Sequence, residues 1–271
     1  MECARLIFDL EQQKNTAMSY YLPVPRDVYL NVTSRFPEFH NYTDYNYLSG
    51  VSSIIKTRHF EWALKLTRKW HHIGTAVDFG CADGPFSPSL AKYFKSAVAV
   101  EPHKVGLEIN RQVSAELGIE NISFINNKVD DELSTLLPQK SADVIFVLEV
   151  LEHIGDRERY YESKVELLQS LTRLLKPGGV IVVSVPKMVG PMFLVQRIGL
   201  RLLGLKREEM SMHQILKASF LYDVSELEKT WVPVSHLGFN QVQLARNIRK
   251  YFRVIRHKGL MFQDMFVIGR N

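Results

Sequence analysis

The segment Asp78-Phe-Gly80-Cys-Ala-Asp-Gly84 places an acid two residues before the first of two glycines spaced four apart. Glycine carries no Cβ, so a turn of this kind lets backbone N–H groups come within contact distance of a ligand. Lying between a strand-like and a helix-like run, it sits where open α/β sheets bind nucleotide-like cofactors. It lacks the Gly-x-Gly-x-x-Gly pattern of dinucleotide enzymes and has no Gly-Lys-Ser/Thr ending, so a pyrophosphate cradle is not favoured. Glu101 follows the next apolar run, 17 residues beyond Gly84. An ionised carboxylate there can accept two hydrogen bonds from a ribose diol. Taken alone, it is equally well a solvated loop acid.

A second group of chemical residues lies beyond the apolar run ending at Leu148. His153 is the best-placed general base for a hydroxyl acceptor, or else a histidine in a structural hydrogen bond at a helix start. Glu149, Glu152 and His153 make a Glu-x-x-Glu-His group that could hold a divalent ion, but no metal is expected. His236 precedes Gly238-Phe-Asn240 and either reaches an acceptor or packs in a turn. Tyr42, Tyr45 and Tyr47 line an acceptor pocket or anchor a surface loop. The stretch Met192–Leu205 is apolar apart from Gln196, Arg197 and Arg201, and the two arginines share one helical face. It reads as an interfacial helix for a lipidic acceptor, or as a packed lid or dimer contact. Arg246, Arg249, Lys250, Arg253, Arg256 and Lys258 form a basic cluster without a recognised RNA-binding module beside it.

Taken together, these residues resemble the class I S-adenosylmethionine-dependent methyltransferases. Val77–Pro85 resembles their first motif and Val98-Ala-Val-Glu-Pro102 their second. Asp143–His153 resembles the fourth, and Leu174–Ser184 the motif that forms strand five. The Leu-Glu-His ending is most similar to the small-molecule branch that includes quinone-biosynthesis enzymes. The resemblance implies that Asp78, Gly80, Ala82 and Gly84 surround the methionine part of the cofactor, S-adenosylmethionine. It implies that Glu101 holds the ribose, and that Leu148 and Glu149 lie near the methionine and sulfonium end. The acid that often follows strand three is replaced by Lys128, which leaves Asp130 or the backbone of Val129 for the adenine.

The elements that must position these groups are legible as apolar runs alternating with helical patterns from residue 74 to 185. Strands are expected at 75–79, 97–100, 122–125, 143–148 and 180–185. Ser87-Pro88 reads as an N-cap and first helical residue. A helix over 103–117 stops at Gly118, and a longer one begins near Asp156 with Tyr161, Val165, Leu168, Leu171 and Leu175 on one stripe. A helix ahead of the sheet carries Ile55, His59, Trp62, Leu66 and Trp70 on one side. Two terminal runs, 251–255 and 261–268, read as a hairpin joined at Lys258-Gly259. The expected fold is α/β and Rossmann-like: a mostly parallel seven-stranded sheet, helices on both faces and a C-terminal antiparallel hairpin. The expected domains are an N-terminal helical lid segment, 1–73, and a methyltransferase domain, 74–271, with a lid-like insertion at 187–232.

Composition is ordinary for a globular protein, at 46% hydrophobic and 23% charged residues, and the net charge of +5 permits an anionic partner without demanding one. Cys3 and Cys81 offer no disulfide or metal framework. Glu2, Asp9 and Glu11 interrupt any leader-like run, and no apolar stretch is long enough for a membrane span, so a cytoplasmic location is expected. The expected partner is a small-molecule acceptor, lipid- or glycan-linked in one version, with peripheral membrane-surface contact allowed and nucleic acid not expected. An RNA methyltransferase and a cofactor-binding subunit without its own activity are the alternatives. The sequence leaves the oligomeric state open.

Overall fold

A computed structural model describes residues 19–49, 53, 55–127, 137–155, 158–202, 210–229, 231–232 and 236–271. Seven strands form one sheet in the order β3-β2-β1-β4-β5-β7-β6. They are β1 (Thr75–Phe79), β2 (Ser96–Val100), β3 (Ile122–Ile125), β4 (Ala142–Leu148), β5 (Leu175–Pro186), β6 (Arg253–Gly259) and β7 (Gln263–Gly269). β1 pairs in parallel with β2 and β4, β2 pairs in parallel with β3, and β6 and β7 are antiparallel. The apolar runs are near-continuous because helices cover both faces of such strands. Four of the five β1 residues are buried.

The chain divides into two units, residues 1–148 with 171–182 and residues 149–170 with 183–271. In the first, α1 (Arg26–Thr33) packs on the long helix α4 (Lys104–Glu116) through Val24, Tyr29, Val32, Ile109, Val113 and Leu117. His103 caps α4 by accepting from the Gly106 N–H, and Gly118 (φ 66) ends it, as its position foretold. Between them lie α2 (Arg58–Leu66) and α3 (Ser87–Tyr93). The second unit holds a short 3-10 turn, Leu151–His153, and most of α5 (Tyr160–Leu174). It also holds α6 (Pro191–Leu202), α7 (Met212–Leu216), α8 (Ser225–Glu228) and α9 (Gln241–Tyr251). No helix among the described residues is long and apolar enough to cross a membrane.

Four local expectations need correction. The α3 cap is Phe86, not Ser87; Ser87 is the first helical residue and its hydroxyl bonds Asn110 Oδ1 at 2.9 Å. The buried side of α2 is His59, Phe60, Ala63 and Leu64, while Trp62 and Leu66 are only half-buried. That face is set by aromatic packing, Phe60 stacking on both Tyr21 and Phe86. Helix α5 ends at Leu174 and β5 begins at Leu175, so Leu175 belongs to the strand and not to the helical stripe. The last hairpin turns at 260–262, where the Leu260 N–H meets the Gln263 carbonyl, and not at Lys258-Gly259.

Candidate functional site

The cofactor-type loop runs from the end of β1 to the start of α3. Gly80 (φ 81) and Gly84 (φ 92) lie in the left-handed region, as does Ala82 (φ 48) between them. Gly84 answers to a different demand from the one its motif suggests. A Cβ there would collide with the Asn110 side chain, so the residue is small to admit a buried asparagine and not only a ligand. Asn110 in turn accepts from Ser87 and Ser114 and donates to Cys81 Sγ, tying α4 to the loop. Glu101 follows β2 and closes the loop from the other side. Its Oε2 accepts from the Ala82 N–H at 2.9 Å and its Oε1 from the His103 N–H at 3.0 Å. The bland alternative, a solvated loop acid, does not describe this carboxylate.

Asp78 is 4% exposed. Burial, and secondarily the charge of Glu101, push its pKa up to about 7. Asp83 is also buried but is fully engaged. Thr43 donates to it from both Oγ1 (2.6 Å) and backbone N (3.1 Å), and the Tyr29 hydroxyl donates to Oδ2. Tyr21 Oη reaches the Pro85 carbonyl at 3.0 Å, and Leu22 N–H reaches Ser89 Oγ at 2.9 Å. Residues 21–43 are therefore bound into the loop at several points. Sequence reasoning quoted Asp83 without giving it a role, because its partners lie 40 and 54 residues away. Of the three tyrosines, Tyr47 is buried against Phe60 and His59, whereas Tyr42 and Tyr45 are exposed. Val129, Lys128 and Asp130 lie outside the described residues.

The second unit gathers the other group. Glu149 is a non-glycine residue in the left-handed region (φ 57), a conformation that costs energy and recurs at functional sites. Its N–H bonds the Ser184 carbonyl and its Oε1 accepts from Ser184 Oγ at 3.0 Å. Immediately after it, the 3-10 turn buries Glu152 completely. His153 Nε2 lies 3.9 Å and His236 Nδ1 3.6 Å from Glu152 Oε1, with the two rings edge-to-face at 4.7 Å. The structure thus brings the two candidate catalytic histidines together and adds Glu152 to them. Trp231 Nε1 bonds the Glu152 carbonyl, and Lys164 Nζ bonds the carbonyls of Ile154 and Tyr160. Burial first, and then Glu149, raise the Glu152 pKa well above the carboxylate range. Leu148 is buried at the end of β4.

A family model described as a methyltransferase domain matches residues 54–234, two thirds of the chain, and the chain belongs to that family. It is an S-adenosylmethionine-dependent methyltransferase, and S-adenosylmethionine is its cofactor. The ubiquinone biosynthesis O-methyltransferase of Proteus mirabilis is 31% identical over 103 residues, 38% of each chain. That of Vibrio parahaemolyticus is 24% identical over 179 residues, 64% of this chain and 72% of the relative. A probable S-adenosylmethionine-dependent methyltransferase of Saccharomyces cerevisiae is 28% identical over 148 residues, 54% of this chain and 46% of that one. This chain thus spans from 38% to 72% of these relatives' lengths. In fold it is similar to a SAM-dependent methyltransferase from Aquifex aeolicus, with TM-score 0.54, 14% identity, and coverage of 82% of this chain and 94% of that one. It is also similar in fold to a Pyrococcus horikoshii protein, with TM-score 0.57, 15% identity, and coverage of 88% and 99%.

The first-unit residues fit the cofactor. A buried carboxyl with no cationic partner among the described residues, Asp78, suits a ligand that carries positive charge. A half-buried carboxylate at the β2 tip, Glu101, suits one with a vicinal diol.

Proposed function

We propose that the chain methylates an oxygen of a small hydroxylated molecule. The observation that carries this reading is the pair of imidazoles, His153 and His236, set around the buried Glu152. A sulfonium is already an activated methyl donor, so the acceptor side needs help chiefly when the attacking group is a hydroxyl that must lose its proton. Two imidazoles beside a buried carboxyl group are suited to activating such a hydroxyl. The ubiquinone O-methyltransferases among the relatives support an oxygen acceptor of quinone-precursor type. Supporting a hydrophobic or lipid-linked acceptor are Val195 and Ile198 on α6, with Met212, Leu216, Phe220 and Leu221 on the adjoining residues 212–221, all large, apolar and exposed. The Arg201 side chain and residues 203–209 lie outside the described residues. In this reading Glu101 holds the ribose hydroxyls. Asp78, Gly80, Ala82 and Gly84 surround the methionine part, with Leu148 and Glu149 at its sulfonium end. The test is methyl transfer from labelled cofactor to a panel of catechols, hydroxyquinones and RNA. An alkali-stable methyl ether on the phenolic acceptors is expected; label found only in RNA would overturn the reading.

Glu101→Ala should weaken binding of S-adenosylhomocysteine by about 2–3 kcal/mol, at ~1.5 kcal/mol for each bond to a charged group with partial compensation by water. It should also cost stability, because the Ala82 and His103 N–H groups lose their acceptor. Calorimetry of the variant checks the first effect and thermal unfolding the second. An unchanged dissociation constant would show that the cofactor does not use this carboxylate.

A further inference from the structure

We propose that Glu152, His153 and His236 form a divalent-cation site, zinc by the chemistry of its donors, with a coordination position left for an oxygen ligand. The Glu-x-x-Glu-His spacing alone gives no reason to expect one. What changes the reading is His236, which the fold brings back from 83 residues further along the chain.

One carboxylate oxygen and two imidazole nitrogens, one from each residue, all lie within 4.8 Å of one another. Donors on a tetrahedral zinc, at roughly 2.0–2.1 Å from the metal, lie about 3.3 Å apart. The two nitrogens stand 3.6 and 3.9 Å from the Glu152 oxygen and within 4.8 Å of each other, so the carboxylate needs to shift by a few tenths of an ångström and the two rings to close on each other by up to about 1.5 Å.

The second observation is the state of Glu152 itself. The residue is 0% exposed, and neither of its carboxylate oxygens has a hydrogen-bond partner among the described residues. Native interiors rarely leave such a group unsatisfied. Lys164, whose charge acts on Glu152, directs its ammonium at the Ile154 and Tyr160 carbonyls instead. A proton on Glu152 would not resolve the matter, because the nearest imidazole nitrogen, at 3.6 Å, is beyond hydrogen-bond range. A cation at the centre satisfies the carboxylate and engages both rings at once. Glu149 adds a further negative charge acting on the same point.

Exposure indicates which way the site opens. The carboxylate is fully buried, while the His153 and His236 side chains are 33% and 41% exposed. Three protein ligands with solvent access on one side is the arrangement of a zinc site that keeps a position for a reactant. Two imidazoles with a single carboxylate favour zinc over magnesium, which prefers oxygen ligands. A hydroxyl bound to such an ion is acidified and loses its proton to solvent, with His153 and His236 then acting as ligands and not as proton acceptors. That role rests on the oxygen-acceptor reading; binding of the ion does not.

Purified protein stripped by a chelator should bind one equivalent of zinc when titrated with the metal alone. Glu152→Gln, close in shape to the native residue, and His236→Ala should each weaken binding by at least 10- to 100-fold, the loss typical of removing even a group that supports a ligand. Cobalt should give the visible absorption of a four- or five-coordinate site, and the His153→Ala/His236→Ala protein should lose it. S-adenosylhomocysteine binding, unchanged in each variant, reports that the protein remains folded. No saturable zinc uptake by the wild type, or a cobalt spectrum unaltered by loss of both histidines, would overturn the proposal.

Discussion

Asp83→Ala will lower stability by about 3–5 kcal/mol, at roughly 1–2 kcal/mol for each buried donor left without an acceptor. Against a total of roughly 5–15 kcal/mol for a native protein, this removes a large share. The carboxylate is completely buried, and so are the two residues that donate to it, Tyr29 and Thr43. Truncation leaves three donors without acceptors: the Tyr29 hydroxyl, the Thr43 hydroxyl and the Thr43 N–H. Some of their cost is returned because the buried charge itself disappears; burial already raises the Asp83 pKa in spite of these bonds. Asp83→Asn separates the two contributions. An amide can accept from Thr43 N–H and Tyr29 through its oxygen and donate to Thr43 Oγ1 through its nitrogen, so its loss should stay under about 1.5 kcal/mol. Urea unfolding of both variants checks this. Equal losses for Ala and Asn would show that charge, not hydrogen bonding, governs the site. The Ala variant should also bind S-adenosylhomocysteine poorly, because Asp83 fixes the turn whose Ala82 N–H meets Glu101.

Which parts of the molecule were legible in the sequence follows from the range over which each signal acts. Strands such as Thr75–Phe79 and Ala142–Leu148 declare themselves through local apolar runs, and helix ends through single residues such as Gly118. The loop from Asp78 to Gly84 and its partner Glu101 could be paired because a βαβ unit fixes their separation. Residues whose partners come from another element were not readable in this way. Thr43 was one polar residue in a tyrosine-rich loop, and nothing in the sequence connects it to Asp83. The helix over 58–66 was assigned its face by spacing, yet the apolar ring of Phe60 decided the matter over Trp62. Gly84 was read as clearance for a ligand, and the packing shows that it must also clear Asn110. Glu152 and His153 were noticed within one local group, and His236 apart from it. Their convergence on one point depends on the path of the chain over 83 residues, which no local pattern encodes.

Asp78 should make the cofactor-free protein lose stability as pH rises. Its carboxyl has an ordinary value of 3.8 and is held at about 7 in the fold, by burial first and the charge of Glu101 second. Between those values the folded state binds a proton that the unfolded chain has released. The contribution is therefore fully present below about pH 3.8 and is lost as pH rises through 7. At ~1.4 kcal/mol per unit, the whole shift corresponds to about 4 kcal/mol, of which roughly 3 kcal/mol falls between pH 5 and 8. Denaturant unfolding across that interval should show the decline in the wild type and a flatter profile in Asp78→Asn, where nothing titrates. A positively charged cofactor should reverse the penalty, since a cation nearby favours the carboxylate. Binding of S-adenosylmethionine at pH 6 should then release a proton, measurable by calorimetry in buffers of different ionisation enthalpy. Its affinity should climb with pH and level off above 7. Identical pH profiles for the wild type and Asp78→Asn, with no proton released on binding, would mean that the ligand's charge is balanced elsewhere.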